Sequence, residues 1–315
     1  MEIVITDGHT LNPGDLDWKD IHALGEVKYY DRTAKTETVS RCEKATVIIT
    51  NKTPIDASVI NAASQLKVIA VTATGYNIID VAAARAKGVA VCNVPGYGTD
   101  SVAQHAIALL LELTNHVGEN QRSVLQGEWS SATDWCYSKK PLIELSGKTF
   151  GVVGFGKIGQ RTARIAEALG MTVIFHNPTP RASSFARQVS LEQLFKESDF
   201  VSLHCPLTSS NEGFVNKALL SGMKSSSFLI NTSRGQLIQE ADLAQALTNG
   251  VLKGAALDVL STEPPPANHP LTSLPQCIIT PHTAWLSFEA RSRILNTTVE
   301  NIKHFLAGSP QHVVS

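Results

Sequence analysis

The stretch "TFGVVGFGKIGQRTARIAEALG", residues 149–170, decides the fold of this chain. It begins with a short apolar run, passes through glycines at positions 154, 156 and 159, and continues as a helical pattern that stops at Gly170. The order of strand, tight glycine turn and helix is typical of the first unit of a dinucleotide-binding α/β domain. Glycines also serve ordinary turns, but this context favours the binding function.

Each glycine of the turn has a separate role in such a site. Gly154 permits the tight turn, Gly156 lets a pyrophosphate approach the backbone, and Gly159 lets the helix pack closely on the strand. The start of the helix adds free N–H groups and a partial positive charge. The sequence therefore predicts a dinucleotide site at residues 154–159.

Two series of short apolar runs alternate with helical patterns on either side of this stretch. The first series is "EIVITDG", "ATVIITN", "LKVIAVTATG" and "GVAVCNVPG"; the second is "KTFGVVGFG", "MTVIFHN", "DFVSLHCP", "SFLINTSRG", "GAALDV" and "CIITPH". Strands that alternate with helices predict parallel sheets with crossover connections. We expect an α/β protein with two Rossmann-like doubly wound parallel-sheet domains and a cleft between them.

Two long helical patterns set the expected domain boundaries. One covers roughly residues 100–126, with Asp100 or Ser101 as the expected N-cap, and the other, "SFEARSRILNTTVENIKHFLAG", is expected to return to the first domain. We predict a substrate-binding domain over 1–99 plus 286–315 and a dinucleotide-binding domain over 100–285. The two domains are expected to close over the substrate.

Composition narrows the class of partner. The chain has 315 residues, 43% of them hydrophobic, and a formal net charge of −1 without long runs of like charge. This favours small-molecule ligands over nucleic acid or a membrane surface. Five widely spaced cysteines without CxxC pairs predict reduced thiols rather than disulfides or a metal site. We expect a cytoplasmic protein, and a homodimer formed through the apolar helix at 100–126.

Candidate catalytic residues follow three strands of the second series. "LINTSRG" places Arg234 at one strand end, "ALDVLSTEP" places Asp258 and Glu263 after the next, and "IITPH" places His282 after the last. Ligands of open α/β sheets bind beyond the carboxyl ends of the strands, so these side chains are expected to converge. Their grouping beside a cofactor loop favours an active site.

The three chemical types are complementary. An arginine offers a forked, permanent charge to the carboxylate of an α-keto acid, which is the role expected of Arg234. A histidine titrates near neutrality, so His282 can donate a proton to a developing alkoxide and recover it in the reverse direction. Glu263 would fix the imidazole tautomer and favour its protonated form.

Cofactor choice depends on the residue about 20 positions after the glycine turn, where an acid normally reads the ribose. Here Asn177 stands at that position, followed four residues later by Arg181. Asparagine can bond the ribose hydroxyls but does not repel a 2′-phosphate, which Arg181 could meet. The sequence favours NAD(H) and leaves NADP(H) open.

Several motifs together resemble one family. "VVGFGKIGQ", "HCPLT", "INTSRG", "ALDV…EP" and "TPHTAW", in this order, are similar to the nucleotide-binding domain of the D-isomer-specific 2-hydroxyacid dehydrogenases, and "TATGYNIID" resembles their substrate-carboxylate loop. "GDLDW", "YYDRT", "ITNKTPI" and "YGTDSVAQH" resemble the glycerate dehydrogenases, also called hydroxypyruvate reductases. The resemblance implies interconversion of hydroxypyruvate and D-glycerate with NAD(H) or NADP(H).

The resemblance also implies roles for individual positions. Arg234 binds substrate, Glu263 supports the acid/base residue and His282 is that residue. The other implied contacts are the backbone of Thr74 and Gly75 with the substrate carboxylate, and Gly154, Gly156, Lys157, Ile158, Gly159, Asn177, Cys205, Pro206, Thr232 and Asp258 with the cofactor. Lys157 and Ile158 would lie along the pyrophosphate, and Asp258 would approach the nicotinamide amide.

Other functions stay open on the sequence alone. Glyoxylate and other short 2-keto acids are alternative substrates within the family. The scaffold also resembles NAD-sensing corepressors, which are binding proteins, but the intact triad favours an enzyme. A phosphoglycerate dehydrogenase would be expected to carry a basic cluster near "TATGYN", and a formate dehydrogenase to lack Glu263.

Overall fold

The computed structural model describes residues 1–315, which form two compact units. The first contains Met1–Tyr97 and Leu286–Ser315, and the second Gly98–Trp285. Each unit is built on one parallel sheet with helices, so the predicted α/β class with two parallel sheets is confirmed. No helix combines the length and the apolarity needed to cross a membrane.

The first unit has a five-stranded sheet in the order β2-β1-β3-β4-β5. Its strands are Glu2–Ile5 (β1), Glu26–Tyr29 (β2), Val47–Thr50 (β3), Val68–Val71 (β4) and Ala90–Cys92 (β5). Its helices before residue 97 are Lys19–His22 (α1), Thr38–Cys42 (α2), Ala57–Ala62 (α3) and Val81–Ala86 (α4), with a 3₁₀ turn at Lys35–Glu37. Buried aliphatic residues of β1, β3 and β4 form the core, as expected of strands covered on both faces.

The second unit has a seven-stranded sheet in the order β12-β11-β10-β9-β6-β7-β8. Its strands are Thr149–Val153 (β6), Thr172–His176 (β7), Arg187–Gln188 (β8), Phe200–Leu203 (β9), Phe228–Asn231 (β10), Gly254–Leu257 (β11) and Cys277–Ile279 (β12). Its helices are Thr99–Asn115 (α5), Val117–Leu125 (α6), Lys157–Ala168 (α7), Leu191–Glu197 (α8), Lys217–Ser221 (α9) and Glu240–Thr248 (α10), with a 3₁₀ turn at Gly235–Leu237. The chain then returns to the first unit as Phe288–Leu306 (α11).

Strand order reverses between β6 and β9, which pair in parallel. In open α/β sheets such a switch point leaves a crevice at the carboxyl ends of the strands. The glycine turn follows β6 and "HCP" follows β9, so both segments lie at this switch point.

Two strands escaped the sequence analysis, and both are edge strands. β2 and β8 end their sheets on one side, and β8 has only two residues. Their side chains are partly or fully exposed, so neither segment carries the apolar run that marks a central strand.

The predicted single helix over 100–126 is wrong, because it is two helices that meet at His116. His116 has a left-handed backbone (φ 50°), which stops the ladder of α5, and Glu112 accepts the N–H of Gly118 at the start of α6. The N-cap is Gly98 rather than Asp100 or Ser101. Asp100 instead pairs with Arg161, at 2.8 Å.

Candidate active site

The three glycines of the turn after β6 meet three different spatial demands. Gly154 has φ +93°, and a Cβ there would lie 2.5 Å from the backbone nitrogen of Cys205. A Cβ on Gly159 would lie 2.2 Å from the carbonyl oxygen of Gly154. A Cβ on Gly156 would meet nothing within 4 Å. The turn is therefore packed against its own domain at Gly154 and Gly159 and open at Gly156.

The open side of the turn coincides with the start of α7. Gly156 is the N-cap of this helix, and no side chain caps it. Gly156 and Lys157 are exposed, so the first N–H groups of the helix are available to an anion. These residues fit a dinucleotide, whose pyrophosphate Gly156, Lys157 and Ile158 would hold.

Asn177 follows β7 directly and contacts the glycine turn. Its Oδ1 accepts the N–H of Phe155 at 3.2 Å, and its Nδ2 lies 3.3 Å from Oγ1 of Thr179. Arg181 is held through its backbone N–H, which donates to Gln188 at 2.8 Å, while its guanidinium is exposed and makes no bond within the protein. The position predicted to contact the ribose thus carries a neutral amide.

Three parallel strands end beside one another and carry the predicted catalytic positions. β10, β11 and β12 are consecutive in the sheet, and Arg234, Asp258 and His282 follow them. The structure therefore brings these residues to one edge of one sheet, as predicted from the run of strand ends.

His282 and Glu263 form a close pair. Nδ1 of His282 lies 2.6 Å from Oε2 of Glu263, whose Oε1 accepts the N–H of Leu260 at 3.1 Å. Nε2 of His282 makes no hydrogen bond within the protein. The carboxylate on Nδ1 fixes the orientation of the ring and leaves Nε2 as the ring nitrogen without a partner within the protein.

The backbone of His282 is left-handed, with φ +54°. This conformation costs a non-glycine residue about 1–2 kcal/mol. It is held by the His282 N–H, which lies 2.8 Å from the carbonyl oxygen of Asp258 and 2.9 Å from that of Thr280. Strain of this kind is a frequent feature of functional sites.

Arg234 has an exposed guanidinium, and its turn packs against the loop that leads to Glu263. Its Nη1 donates to the carbonyl of Ser233 at 2.6 Å, and Asn231 fixes its backbone by donating to its carbonyl at 2.8 Å. The next residue, Gly235, packs on the backbone that leads to Glu263, since a Cβ there would lie 1.9 Å from the carbonyl carbon of Leu260. The turn that carries Arg234 therefore packs directly on the backbone of the loop that carries Glu263.

Asp258 is 1% exposed, and its carboxylate is used inside the protein. It accepts bonds from the Oγ1 of Thr280 (2.6 Å) and from the backbone N–H groups of Thr283 and Ala284 (both 2.9 Å), and Nε2 of His105 lies 3.3 Å away. Burial by itself would raise the pKa of Asp258, but the bonds from His105, Thr280 and the backbone outweigh it and hold that pKa below the ordinary value.

The second histidine at a strand end, His204, differs from His282. It follows β9, its Nε2 lies 2.9 Å from Oγ of Ser202, and burial lowers its pKa to about 4. His204 therefore stays neutral at physiological pH and cannot act as the acid. Burial also raises the pKa of the neighbouring Cys205 thiol to about 11, so that thiol stays protonated.

Two other predicted cofactor contacts, Pro206 and Thr232, lie at the same carboxyl edge of the sheet. Pro206 is exposed beyond β9, and Thr232 is buried beyond β10 with an Oγ1 that has no hydrogen-bond partner. A buried hydroxyl without a partner is costly in a native protein, and a ligand group at this position would satisfy it.

In the first unit, Thr74 and Gly75 follow β4. The side chain of Thr74 donates to the carbonyl of Val94 at 2.9 Å, and its own carbonyl accepts Nδ2 of Asn93 at 2.7 Å. The N–H groups of Thr74 and Gly75 donate no bond within the protein. Two adjacent free N–H groups on a fixed loop are suited to a carboxylate.

Comparison with known proteins agrees with this geometry. Residues 107–284 match the family model described as D-isomer specific 2-hydroxyacid dehydrogenase, NAD binding domain. The chain is 47% identical to a hydroxypyruvate reductase of Blautia hydrogenotrophica, over all of both chains, and 36% identical to a glycerate dehydrogenase of Methylorubrum extorquens, over 99% of this chain and 98% of the other. The crystal structure of the TT0316 protein from Thermus thermophilus superposes with a TM-score of 0.88 at 35% identity, covering both chains fully.

The chain belongs to the D-isomer-specific 2-hydroxyacid dehydrogenase family. As a D-2-hydroxyacid dehydrogenase it is an NAD(P)-dependent oxidoreductase that acts on a small hydroxy or keto acid. The bound nicotinamide cofactor supplies or accepts the hydride in this chemistry.

Three residues that contact the candidate site were not predicted from the sequence to do so. Asn93 holds the carbonyl of Thr74, and Ser101 and His105 bond to the segment that carries His282. Ser101 and His105 stand four residues apart, the spacing that puts two side chains on one face of a helix. That spacing was visible in "SVAQH", but the sequence did not show which strand end it faces.

Proposed function

We propose that this protein is a hydroxypyruvate reductase, interconverting hydroxypyruvate and D-glycerate with NAD(H). The observation that carries the assignment of an acid/base site is the pair of His282 and Glu263 at 2.6 Å, with Nε2 left free. The choice of hydroxypyruvate is supported by the full-length similarity to proteins named hydroxypyruvate reductase and glycerate dehydrogenase.

In the proposed reduction, the N–H groups of Thr74 and Gly75 bind the substrate carboxylate and Arg234 fixes the keto acid for attack at C2. A bound nicotinamide cofactor would supply the hydride to C2, and as the C=O double bond opens, Nε2 of protonated His282 would give its proton to the oxygen. Glu263 stabilises the imidazolium beforehand. In the oxidation, neutral His282 takes the hydroxyl proton back.

We further propose NAD(H) as the preferred cofactor. Asn177 places no negative charge at the ribose, so NADP(H) is not repelled, but only the exposed Arg181 is placed to favour its phosphate. An arginine in solvent gains little from such a contact because water screens it.

The test is an assay of the purified protein with hydroxypyruvate, glyoxylate, pyruvate and phosphohydroxypyruvate, each with NADH and with NADPH. We expect the highest kcat/KM with hydroxypyruvate and NADH. A higher kcat/KM with glyoxylate would show that glyoxylate, and not hydroxypyruvate, is the preferred substrate. The assignment as a D-2-hydroxyacid dehydrogenase would be unaffected. A higher value with NADPH would overturn the cofactor preference alone.

We also propose that the protein is a cytoplasmic homodimer. Most apolar residues of α5 are buried in their own unit, whereas α6 and the segment after it expose Leu125 (76%), Trp129 (53%) and Trp135 (86%). Exposed aromatic residues of this size are typical of subunit interfaces. Light scattering should give a dimer, and Trp135→Ala combined with Leu125→Glu should shift it to monomer. A wild-type monomer would refute the interface.

The proposed cytoplasmic location is supported by the five cysteines, which are all free and therefore suit a reducing compartment.

A further inference from the structure

Helix α5 contacts the segment that carries His282 through two side chains. Oγ of Ser101 donates to the carbonyl of Ala284 at 2.6 Å, and Nε2 of His105 lies 3.0 Å from Oγ1 of Thr280. The same nitrogen lies 3.3 Å from Oδ1 of Asp258. The helix therefore touches the segment on both sides of His282, two residues before it and two after.

Asp258 receives three successive backbone N–H groups from this segment. The N–H of His282 goes to its carbonyl oxygen, that of Thr283 to Oδ1 and that of Ala284 to Oδ2. A single buried residue thus sets the backbone path on which the left-handed His282 depends. If the carboxylate turned away, two N–H groups would lose their acceptor and the turn would relax.

His105 is the only basic side chain that contacts the buried carboxylate of Asp258. A buried carboxylate needs a donor or positive charge to stay ionised and oriented. The proton on Nε2 of His105 can serve Oδ1 of Asp258 and Oγ1 of Thr280 together, while Thr280 donates its own proton to Oδ1 at 2.6 Å. His105, Thr280 and Asp258 form a closed set of hydrogen bonds.

We infer that His105, assisted by Ser101, is a positioning residue for the general acid His282. This role rests on the proposed acid/base function of His282. His105 holds the Asp258 carboxylate in register, Asp258 holds the backbone of residues 282–284, and that backbone aims Nε2 of His282. His105 does not itself exchange a proton with the substrate.

The first test compares His105→Leu with the matched control Gln104→Leu. Gln104 is the preceding residue of α5 and is exposed. Since misplacement of a catalytic group by about 1 Å costs on the order of 10²-fold, His105→Leu should lower kcat for hydroxypyruvate by roughly 10- to 100-fold. The dissociation constant for NADH should stay close to that of the wild type. His105→Gln, which restores an N–H donor, should recover part of kcat, and Ser101→Ala should show a smaller loss.

A double-mutant cycle separates positioning from general damage. If His105 acts through His282, His105→Leu should cost almost nothing further in a His282→Asn background. An equal loss in both backgrounds would overturn the inference, as would wild-type kcat in His105→Leu. Melting temperatures of all variants show whether each one is folded.

A readout without turnover separates this inference from the proposed function. In histidine-labelled protein, the ring resonances of His282 are assigned by their disappearance in His282→Asn. His105→Leu should shift or broaden these resonances, and Gln104→Leu should leave them unchanged. Unmoved His282 resonances in His105→Leu would overturn the positioning role, even if the wild type proved inactive toward every 2-keto acid.

Discussion

The glycine turn at 154–159 and the histidine turn at 280–284 have the same place in the fold but different origins. Both follow parallel strands at one edge of the same sheet, and each contains a left-handed residue, Gly154 (φ +93°) in one and His282 (φ +54°) in the other. In the glycine turn the residue itself permits the conformation. In the histidine turn, hydrogen bonds to the backbone carbonyls of Asp258 and Thr280 hold it.

This difference reflects the task of each turn. A pyrophosphate needs backbone N–H groups and space, which glycine and a helix start supply locally. The proposed proton donor needs a side chain, so the left-handed position cannot be a glycine, and hydrogen bonds to Asp258 and Thr280 hold its backbone instead. Side chains added at its glycines should therefore disturb the glycine turn, whereas the loss of hydrogen bonds from distant residues should disturb the histidine turn.

The largest expected effect is on the histidine turn. His282→Asn removes the proton donor, and since positioned acid/base catalysis contributes about 10²–10⁴-fold, kcat should fall within that range. Cofactor affinity should be nearly unchanged because the glycine turn is intact. Steady-state kinetics and fluorescence titration with NADH measure the two quantities. Retained wild-type turnover would show that another group supplies the proton.

The glycine turn is tested by a matched pair of alanines. Gly154→Ala places a Cβ 2.5 Å from the backbone of Cys205 at a left-handed position and should destabilise the domain by about 1–3 kcal/mol. Gly156→Ala meets no protein atom within 4 Å, so its melting temperature should be that of the wild type.

The same pair separates packing from binding. Gly156→Ala should weaken NADH through contact with the pyrophosphate while the protein remains fully stable. Thermal melts and NADH titrations distinguish the two outcomes. Equal melting temperatures for both variants would contradict the described packing of Gly154, and unchanged NADH affinity in Gly156→Ala would place the pyrophosphate elsewhere.

Glu263→Gln keeps a hydrogen bond to His282 but removes its charge. A charge-assisted hydrogen bond contributes about 1.5–3 kcal/mol, so replacing it by a neutral one should lower kcat for hydroxypyruvate roughly tenfold or more at constant pH. Steady-state kinetics of Glu263→Gln beside the wild type measure this loss. An unchanged kcat in Glu263→Gln would contradict the coupling of the pair.

The smallest effects are expected beside the glycine turn, at the ribose position. Asn177→Asp should lower kcat/KM for NADPH roughly fivefold, because repulsion between exposed like charges costs about 1 kcal/mol. The kcat/KM for NADH should be preserved. Arg181→Ala should leave NADH use unchanged. A selective loss of NADPH use in Arg181→Ala would show that this arginine binds the 2′-phosphate.

The sequence predicted the strands that carry apolar runs more completely than the weakly apolar edge strands and the helix break at His116. All six apolar strand runs of that unit were recognised, and Arg234, Glu263 and His282 were chosen because they follow such runs. The edge strands β2 and β8 and the break at His116 were missed. β2 and β8 lack continuous apolar residues, and the break depends on a left-handed histidine and a cap from Glu112, neither of which alters the helical pattern.

The sequence by itself determined the parts whose physics is local: the α/β class, the glycine turn and the strand ends after which the candidate catalytic residues stand. Only the tertiary structure decided which nitrogen of His282 is free, that Asp258 is enclosed, and that His105 and Ser101 face this turn. The reason is that glycine conformation and strand periodicity are properties of neighbouring residues, whereas a hydrogen bond between residues 105 and 258 exists only after the sheet and α5 have packed together.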